Sequence, residues 1–322
     1  MTIKNHLLII FVWILTIYHT HAQNMNECNC SEIGINKVWA DSSGVKCYKI
    51  PVNLTYNEPS NGSKKMAVIK ANSLQKSNLP PIVYFHGGPG VATLGVAQKY
   101  LESSFWKKLR ENHDIIMMDY SGTGFSEPYL CDNLQDSLAA LQVSELSEDD
   151  KKIKALEYFT NCRDSLMTKK ISINTFTSFQ IAADAEEVRR IMGVEKWNIY
   201  GVSYGSHVAM QYMRHFETRI NNIVLDSPFP PNIKSESPAH TINETLNHMQ
   251  EVINEDPELA KVFPDIIADF AATAKRLDKN PIKMESFVIN GDDFAGIMFS
   301  TFYKTKLVHL IPLALKEFAN GN

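Results

Sequence analysis

The chain has 322 residues, with 36 acidic side chains against 32 Lys and Arg and a formal net charge of −4. Hydrophobic residues make up 44% and charged residues 21%, a globular composition that excludes a disordered chain. A mildly acidic balance with no basic stripe excludes a nucleic-acid partner.

The first predicted element is a leader. Lys4 precedes an uncharged apolar run from Leu7 to Ile17, and Thr20-His21-Ala22 ends in a small residue. The run is too short to span a bilayer and has the form of a signal peptide. Residues 1–22 are expected to be cleaved after Ala22, leaving a secreted or periplasmic protein with no stable membrane span. All five cysteines (Cys28, Cys30, Cys47, Cys131 and Cys162) lie beyond the leader. In an exported protein they read as disulfide formers, and Cys28-x-Cys30 lacks the partner ligands zinc needs. No motif calls for a metal or another cofactor. Asn29, Asn53, Asn61 and Asn243 stand in N-x-S/T sequons.

Strands are predicted at 46–52 and 65–71, joined by a turn at 57–62. A short apolar strand at 81–85 leads into His86-Gly87-Gly88-Pro89-Gly90. Glycines here let the backbone approach a substrate carbonyl, so this turn is expected to supply an oxyanion-binding N–H. Gly88 is the expected donor, with Gly87 the alternative, and His86 reads as bracing the turn. A helix near 94–112 and a strand at 114–118 follow, then the glycine loop from Asp119 to Pro128 at a strand's C-terminal end. Residues 143–154 are rich in acids and lysines and read as a solvated helix start. For the helix at 178–192, Thr177 with Gln180 predicts a capping box and Gly193 the terminating residue.

The strand at 196–200 runs into Gly201-Val202-Ser203-Tyr204-Gly205, which fits G-x-S-x-G, and a helix at 204–216 follows. Strand, sharp turn and helix are the context of a nucleophile elbow. Gly201 and Gly205 let strand and helix come close, which places the Ser203 hydroxyl above the sheet at a helix N-terminus. There the Tyr204 backbone N–H is free for a developing oxyanion. A strand at 221–226 ends at Asp226, read as a turn cap. Residues 230–322 carry helical apolar spacing. Alternating strands and helices imply a largely parallel sheet.

With these three glycine motifs in this order, the chain resembles the proline iminopeptidase and tripeptidyl aminopeptidase family of serine peptidases from about Cys47 to its end. His86 to Gly90 matches the family's HGGPG. Asp119 to Ser126 matches its D-x-R-G-x-G-x-S, with Ser121 where arginine is usual. Asp184 to Arg190, Gly193 and Trp197 to Ser206 are similar to the tripeptidyl aminopeptidase branch in particular. The resemblance implies an α/β-hydrolase fold: a mostly parallel sheet with helices on both faces in residues 23–229, and a helical cap in 230–322. It implies an aminopeptidase whose Ser203 attacks peptides with a free N-terminus, the amine being held by cap acids such as Glu244, Glu251 or Asp292. It also implies a Cys131–Cys162 bridge and a bridge from Cys47 to Cys28 or Cys30, with one cysteine left over.

Hydrolases of this fold carry the triad in the order Ser, acid, His. The strands that would bring the acid and the histidine are not found in 230–322, so the chain reads as C-terminally truncated with both absent. His207 leaves the helix of Ser203 itself, His215 suits that helix's C-terminus, and His240, His248 and His309 fall in the cap region. Of these, His309 is the one to test as a base. The alternatives to a peptidase are a non-catalytic remnant that binds peptides and an esterase with the same elbow.

Overall fold

The structure, a computed structural model, describes residues 25–321 apart from 57, 59–61, 132, 145, 234–236 and 285–287. The leader and most of the 57–62 turn lie outside the described residues. Contacts divide the chain into two compact units, one of residues 1–132 with 160–233 and one of 133–159 with 234–322.

In the first unit, α1 (Lys37–Ser43) leads to the hairpin β1 (Val45–Asn53) and β2 (Ser63–Ala71). Then come β3 (Ile82–Phe85), α2 (Leu94–Glu102), α3 (Ser104–Arg110) and β4 (Ile115–Met118). Past α4 (Leu134–Gln142) and α5 (Glu148–Thr168), α6 (Ser178–Ile191) precedes β5 (Trp197–Val202), α7 (Tyr204–Phe216) and β6 (Ile220–Asp226). The six strands form one sheet in the order β1-β2-β4-β3-β5-β6. β1 and β2, and β2 and β4, pair antiparallel; the other neighbours are parallel.

The apolar runs of β3 and β4 are buried at every position, as strands covered on both faces must be. One face packs Met66, Val68, Phe85 and Trp197 against Ala182, Val188, Val208 and Tyr212 of α6 and α7. The other packs Ile69, Tyr84 and Met117 against Leu94, Leu101 and Trp106 of α2 and α3. β6 is an edge strand, with Val224 53% exposed.

The helix predicted at 94–112 is two helices. Ser103 is extended (φ −70°, ψ 154°) and its side chain caps Trp106 N–H, which ends one helix and starts the next. The capping box at Thr177 is half made. Thr177 Oγ1 accepts from Gln180 N–H at 3.1 Å, but the Gln180 amide donates to Asp184 instead, at 2.7 Å. Gly193 does take a left-handed conformation after α6, at φ +67°. Disulfides join Cys131 to Cys162 and Cys47 to Cys30, with Cα atoms 5.3 and 5.2 Å apart. Cys28 is the thiol left over, half-buried, and burial raises its pKa.

The second unit holds α4 and the start of α5 with α8 (Pro238–Asn254), α9 (Pro257–Val262), α10 (Ile266–Lys279), α11 (Gly291–Phe302), α12 (Thr305–Val308) and α13 (Ile311–Asn320). Leu246, Ile266, Leu277, Phe294 and Leu315 centre its core. It also contains a two-strand hairpin, β7 (Ile282–Lys283) with β8 (Val288–Ile289), where the sequence reading has helices and connections alone. Such two-residue strands are too short to carry a period.

Candidate nucleophile site

The site is built where β5 turns into α7. Ser203 takes φ +53° and ψ −121°, a conformation that costs on the order of 1–3 kcal/mol and persists only where neighbours enforce it. Its N–H donates to Asp226 O at 2.9 Å, and its carbonyl accepts from Ser206 N–H at 2.9 Å and from the Ser206 hydroxyl at 2.5 Å. Ser206 Oγ accepts in turn from Phe229 N–H at 2.8 Å. The flanking glycines are steric necessities. A methyl on Gly205 would lie 1.9 Å from Phe85 O, and one on Gly201 2.6 Å from Gly205 O. The elbow therefore presses directly on the end of β3. Tyr204 is the first residue of α7, so its N–H has no intrahelical acceptor.

The glycine turn after β3 lies against the serine. A methyl on Gly87 would come 3.1 Å from Ser203 Cβ and 3.6 Å from its Oγ. Gly88 and Gly90 have φ of +129° and +91°, which glycine alone adopts at little cost. His86 stacks on Tyr100 at 3° between planes, with Nδ1 3.0 Å from Gly87 O and Nε2 3.2 Å from the Tyr100 hydroxyl. A carbonyl only accepts, so Nδ1 carries the proton and Nε2 accepts from Tyr100. The ring thus holds the Gly87 carbonyl on its own side. In a trans peptide the next N–H, that of Gly88, points the opposite way.

The Asp119 loop buttresses this turn. Tyr120, fully buried, donates its hydroxyl to His86 O at 2.9 Å. Asp119 accepts from Leu94 N–H at 2.8 Å and Phe125 N–H at 2.9 Å. Burial pushes its carboxyl pKa up, and these bonds oppose that rise. Gly124 is required there, because a methyl would lie 2.1 Å from Asp119 Oδ2. Ser121 does not leave the loop unanchored: its hydroxyl donates to the buried carboxylate of Asp184. Asp119, Tyr120, Asp184 and Ser206, which lie in stretches matched to the family without a role assigned to them, and Lys64, which lies outside those stretches, are support residues. For Lys64 and Asp184 the signal was present as charges in apolar registers. Lys64 alternates with Met66 and Val68 along β2, and Asp184 stands among Ala182, Ala183 and Ala185.

Among the described residues no histidine nitrogen hydrogen-bonds the Ser203 hydroxyl. His86 is occupied as above. His207, one turn along α7, lies between the rings of Tyr204 and Phe229, at 5.7 and 5.8 Å. His215 packs on Phe179 at 4.6 Å, and His113 bonds Pro80 O at 2.7 Å. In the second unit, His240 and His248 pair with Glu244 and Glu251 on α8, at 3.4 and 3.5 Å. His309 is exposed at the end of α12. Asp292 lines a cavity of about 670 Å³ with Val288, Ile297, Lys151 and Lys304. Asp226 accepts from the Tyr200 hydroxyl of the neighbouring β5 at 2.7 Å and, inside its own turn, from Ser227 Oγ at 3.1 Å. Among the described residues no group of three His, Cys, Asp or Glu side chains is arranged to hold a metal.

Comparison with known proteins bears on this arrangement. The family described as "alpha/beta hydrolase fold" matches residues 80–283, which include both glycine turns and the elbow. The tripeptidyl aminopeptidase of Streptomyces coelicolor is 26% identical over 204 residues, covering 60% of this chain and 37% of its own length. The serine protease Hip1 of Mycobacterium tuberculosis is 27% identical over 199 residues, covering 59% and 37%. The proline iminopeptidase of Neisseria gonorrhoeae is 23% identical over 149 residues, covering 46% and 33%. The matched stretch thus spans about a third of the length of each of these relatives.

Proposed function

Because this chain belongs to the alpha/beta hydrolase fold family, we propose that it is, or forms part of, a secreted serine peptidase acting at the amino ends of peptides, with Ser203 as nucleophile. Ser203 Oγ attacks the scissile carbonyl carbon and its proton passes to a histidine base. The carbonyl oxygen becomes an anion that accepts from the N–H groups of Gly88 and Tyr204. The C–N bond then breaks, the amine leaves with the proton, and water releases the acyl group from the serine. The observation that carries this reading is the strained Ser203 backbone, at φ +53°, on glycines that tolerate no methyl. The peptidase names of the relatives support the substrate class. A free amino terminus on the substrate, and its capture by Glu244, Glu251 or Asp292, belong to the proposal.

The four described histidines of the first unit have other surroundings, so the proposal also holds that this chain by itself activates Ser203 poorly. A serine hydroxyl without an adjacent base is a weak nucleophile. Oxyanion donors alone leave about 10³–10⁴-fold acceleration over water. The chain should therefore label slowly with a fluorophosphonate, and Ser203→Ala should abolish the label. Tripeptidyl and aminoacyl anilides should be cut in preference to their N-acetylated forms. Labelling that survives Ser203→Ala would sink the reading. Turnover of phenyl esters without any of anilides would favour the esterase, and no label at all the non-catalytic remnant.

A further inference from the structure

We propose that Lys64 is a positioning residue for the Ser203 site, acting through a buried ion pair with Asp184 that holds the Asp119 loop and, behind it, the His86–Gly88 turn. Lys64 lies on β2 and Asp184 on α6, with side chains 4% and 1% exposed and Nζ 2.8 Å from Oδ2. Gln180 Nε2 donates to Oδ1 of the same carboxylate at 2.7 Å, and Ser121 Oγ donates to Oδ2. Three segments, β2, α6 and the loop after β4, thus converge on one carboxylate. A buried charge is tolerable only when it is paired and hydrogen-bonded, and removing one partner is strongly destabilising. Lys64 Nζ is the cation of this cluster, and its other contact is Leu54 O at 3.4 Å.

The link to the site runs through adjacent residues. Ser121 is bound to the ion pair, and its neighbour Tyr120 donates to His86 O at 2.9 Å. His86 orients the Gly87 carbonyl from 3.0 Å, and Gly87 packs on Ser203. Without Lys64, Asp184 has three choices: take up a proton, draw in water, or release Ser121. The first two swell a packed interior, and the third loosens Tyr120. The motif that residues 119–126 resemble has arginine at position 121, on the loop itself. In this chain position 121 carries only a hydroxyl, and the cation arrives from β2 at the same carboxylate oxygen, Oδ2. The geometry makes the two arrangements exchangeable: a cation is needed at Asp184, and either strand or loop can bring it.

The test uses the full chain with its disulfides formed, and reads hydrogen exchange of the amides in 86–91 and 119–126. This readout does not need Ser203 to be a nucleophile, so it separates failure of the inference from failure of the functional reading on which its catalytic meaning rests. Lys64→Met should raise exchange in both segments about tenfold or more while leaving β3 and β4 protected. Lys64→Arg should stay near the parent. In Lys64→Ala/Ser121→Arg the cation returns from the loop, and protection should recover relative to Lys64→Ala. Fluorophosphonate labelling of Ser203, measured on folded protein, should fall and recover in parallel. Parental exchange in folded Lys64→Met would overturn the proposal, as would an exchange variant no better protected than Lys64→Ala. If Lys64→Met does not fold, folding of the exchange variant supports the proposal and its failure to fold overturns it. Loss of protection with no Ser203 labelling in any variant would retain the anchor and reject the nucleophile.

Discussion

At the scale of single residues, the elbow is decided by what has no side chain. Gly205 is closed off by backbone atoms: a methyl there would meet Phe85 O at 1.9 Å and His86 O at 2.8 Å, and backbone cannot yield as a flexible side chain does. Gly205→Ala is therefore expected to destabilise by about 3 kcal/mol, lowering the thermal midpoint by roughly 6–12 °C for a unit of this size. Gly90→Ala is the control. It has φ +91° but no atom within 4 Å of the new methyl, so it should cost only about 1–2 kcal/mol of backbone strain. Thermal unfolding of the pair measures the difference, and equal midpoints would refute the steric account. The serine itself was legible from sequence because G-x-S-x-G states its own local geometry. His86 was legible as a brace for the same reason, though its partners Tyr100 and Gly87 were not.

At the scale of elements, β2 and β4 are held together beyond their ladder by Lys70, whose Nζ lies 2.9 Å from Asp114 Oδ2, and by Ser73 N–H, 2.7 Å from Oδ1. Burial works against the ionised Asp114, but Lys70 and the Ser73 bonds outweigh it and hold the carboxyl below its usual range. A carboxyl depressed in the folded state contributes stability above its unfolded pKa of about 3.9 and loses it as pH falls through the lower folded value. Asp114→Asn should thus be less stable than the parent at pH 7, and the gap should narrow as pH falls below the unfolded value and through the lower folded one. Midpoints measured along that series check it, and a gap independent of pH would reject the role of charge. The strands were legible as apolar or alternating runs. The break at Ser103 was not, because a serine inside a helical pattern reads the same whether it caps or is merely tolerated.

At the scale of the whole molecule, two disulfides, with the leader expected from the sequence of residues 1–22, bear on the compartment. Bridges such as Cys30–Cys47 and Cys131–Cys162 persist where the surroundings are oxidising. Export of the chain is accordingly expected, and N-terminal sequencing of secreted or periplasmic material should begin at or near Gln23. Recovery of the protein from cytosol with Met1 intact would overturn that expectation. Among the described residues no helix is long and apolar enough to cross a membrane. The two compact units each have a core, one centred on Trp197 and Phe85 and the other on Leu246 and Ile266. Helical spacing was read over residues 230–322, but neither a separate compact unit there nor the inclusion of residues 133–159 in it was legible.

The strands, the two glycine turns and the elbow serine are written in the chain itself, because each is set by sterics and apolar patterning within a few residues. Folding had to settle that Cys30 rather than Cys28 meets Cys47, and that Lys64 from β2 answers Asp184 on α6. It also settled that none of the described histidines hydrogen-bonds the Ser203 hydroxyl. These outcomes depend on which distant segments pack against each other. A disulfide needs its Cα atoms about 4.4–6.8 Å apart, and a buried charge needs a partner wherever the chain can bring one. Neither requirement leaves a mark in the residues next door.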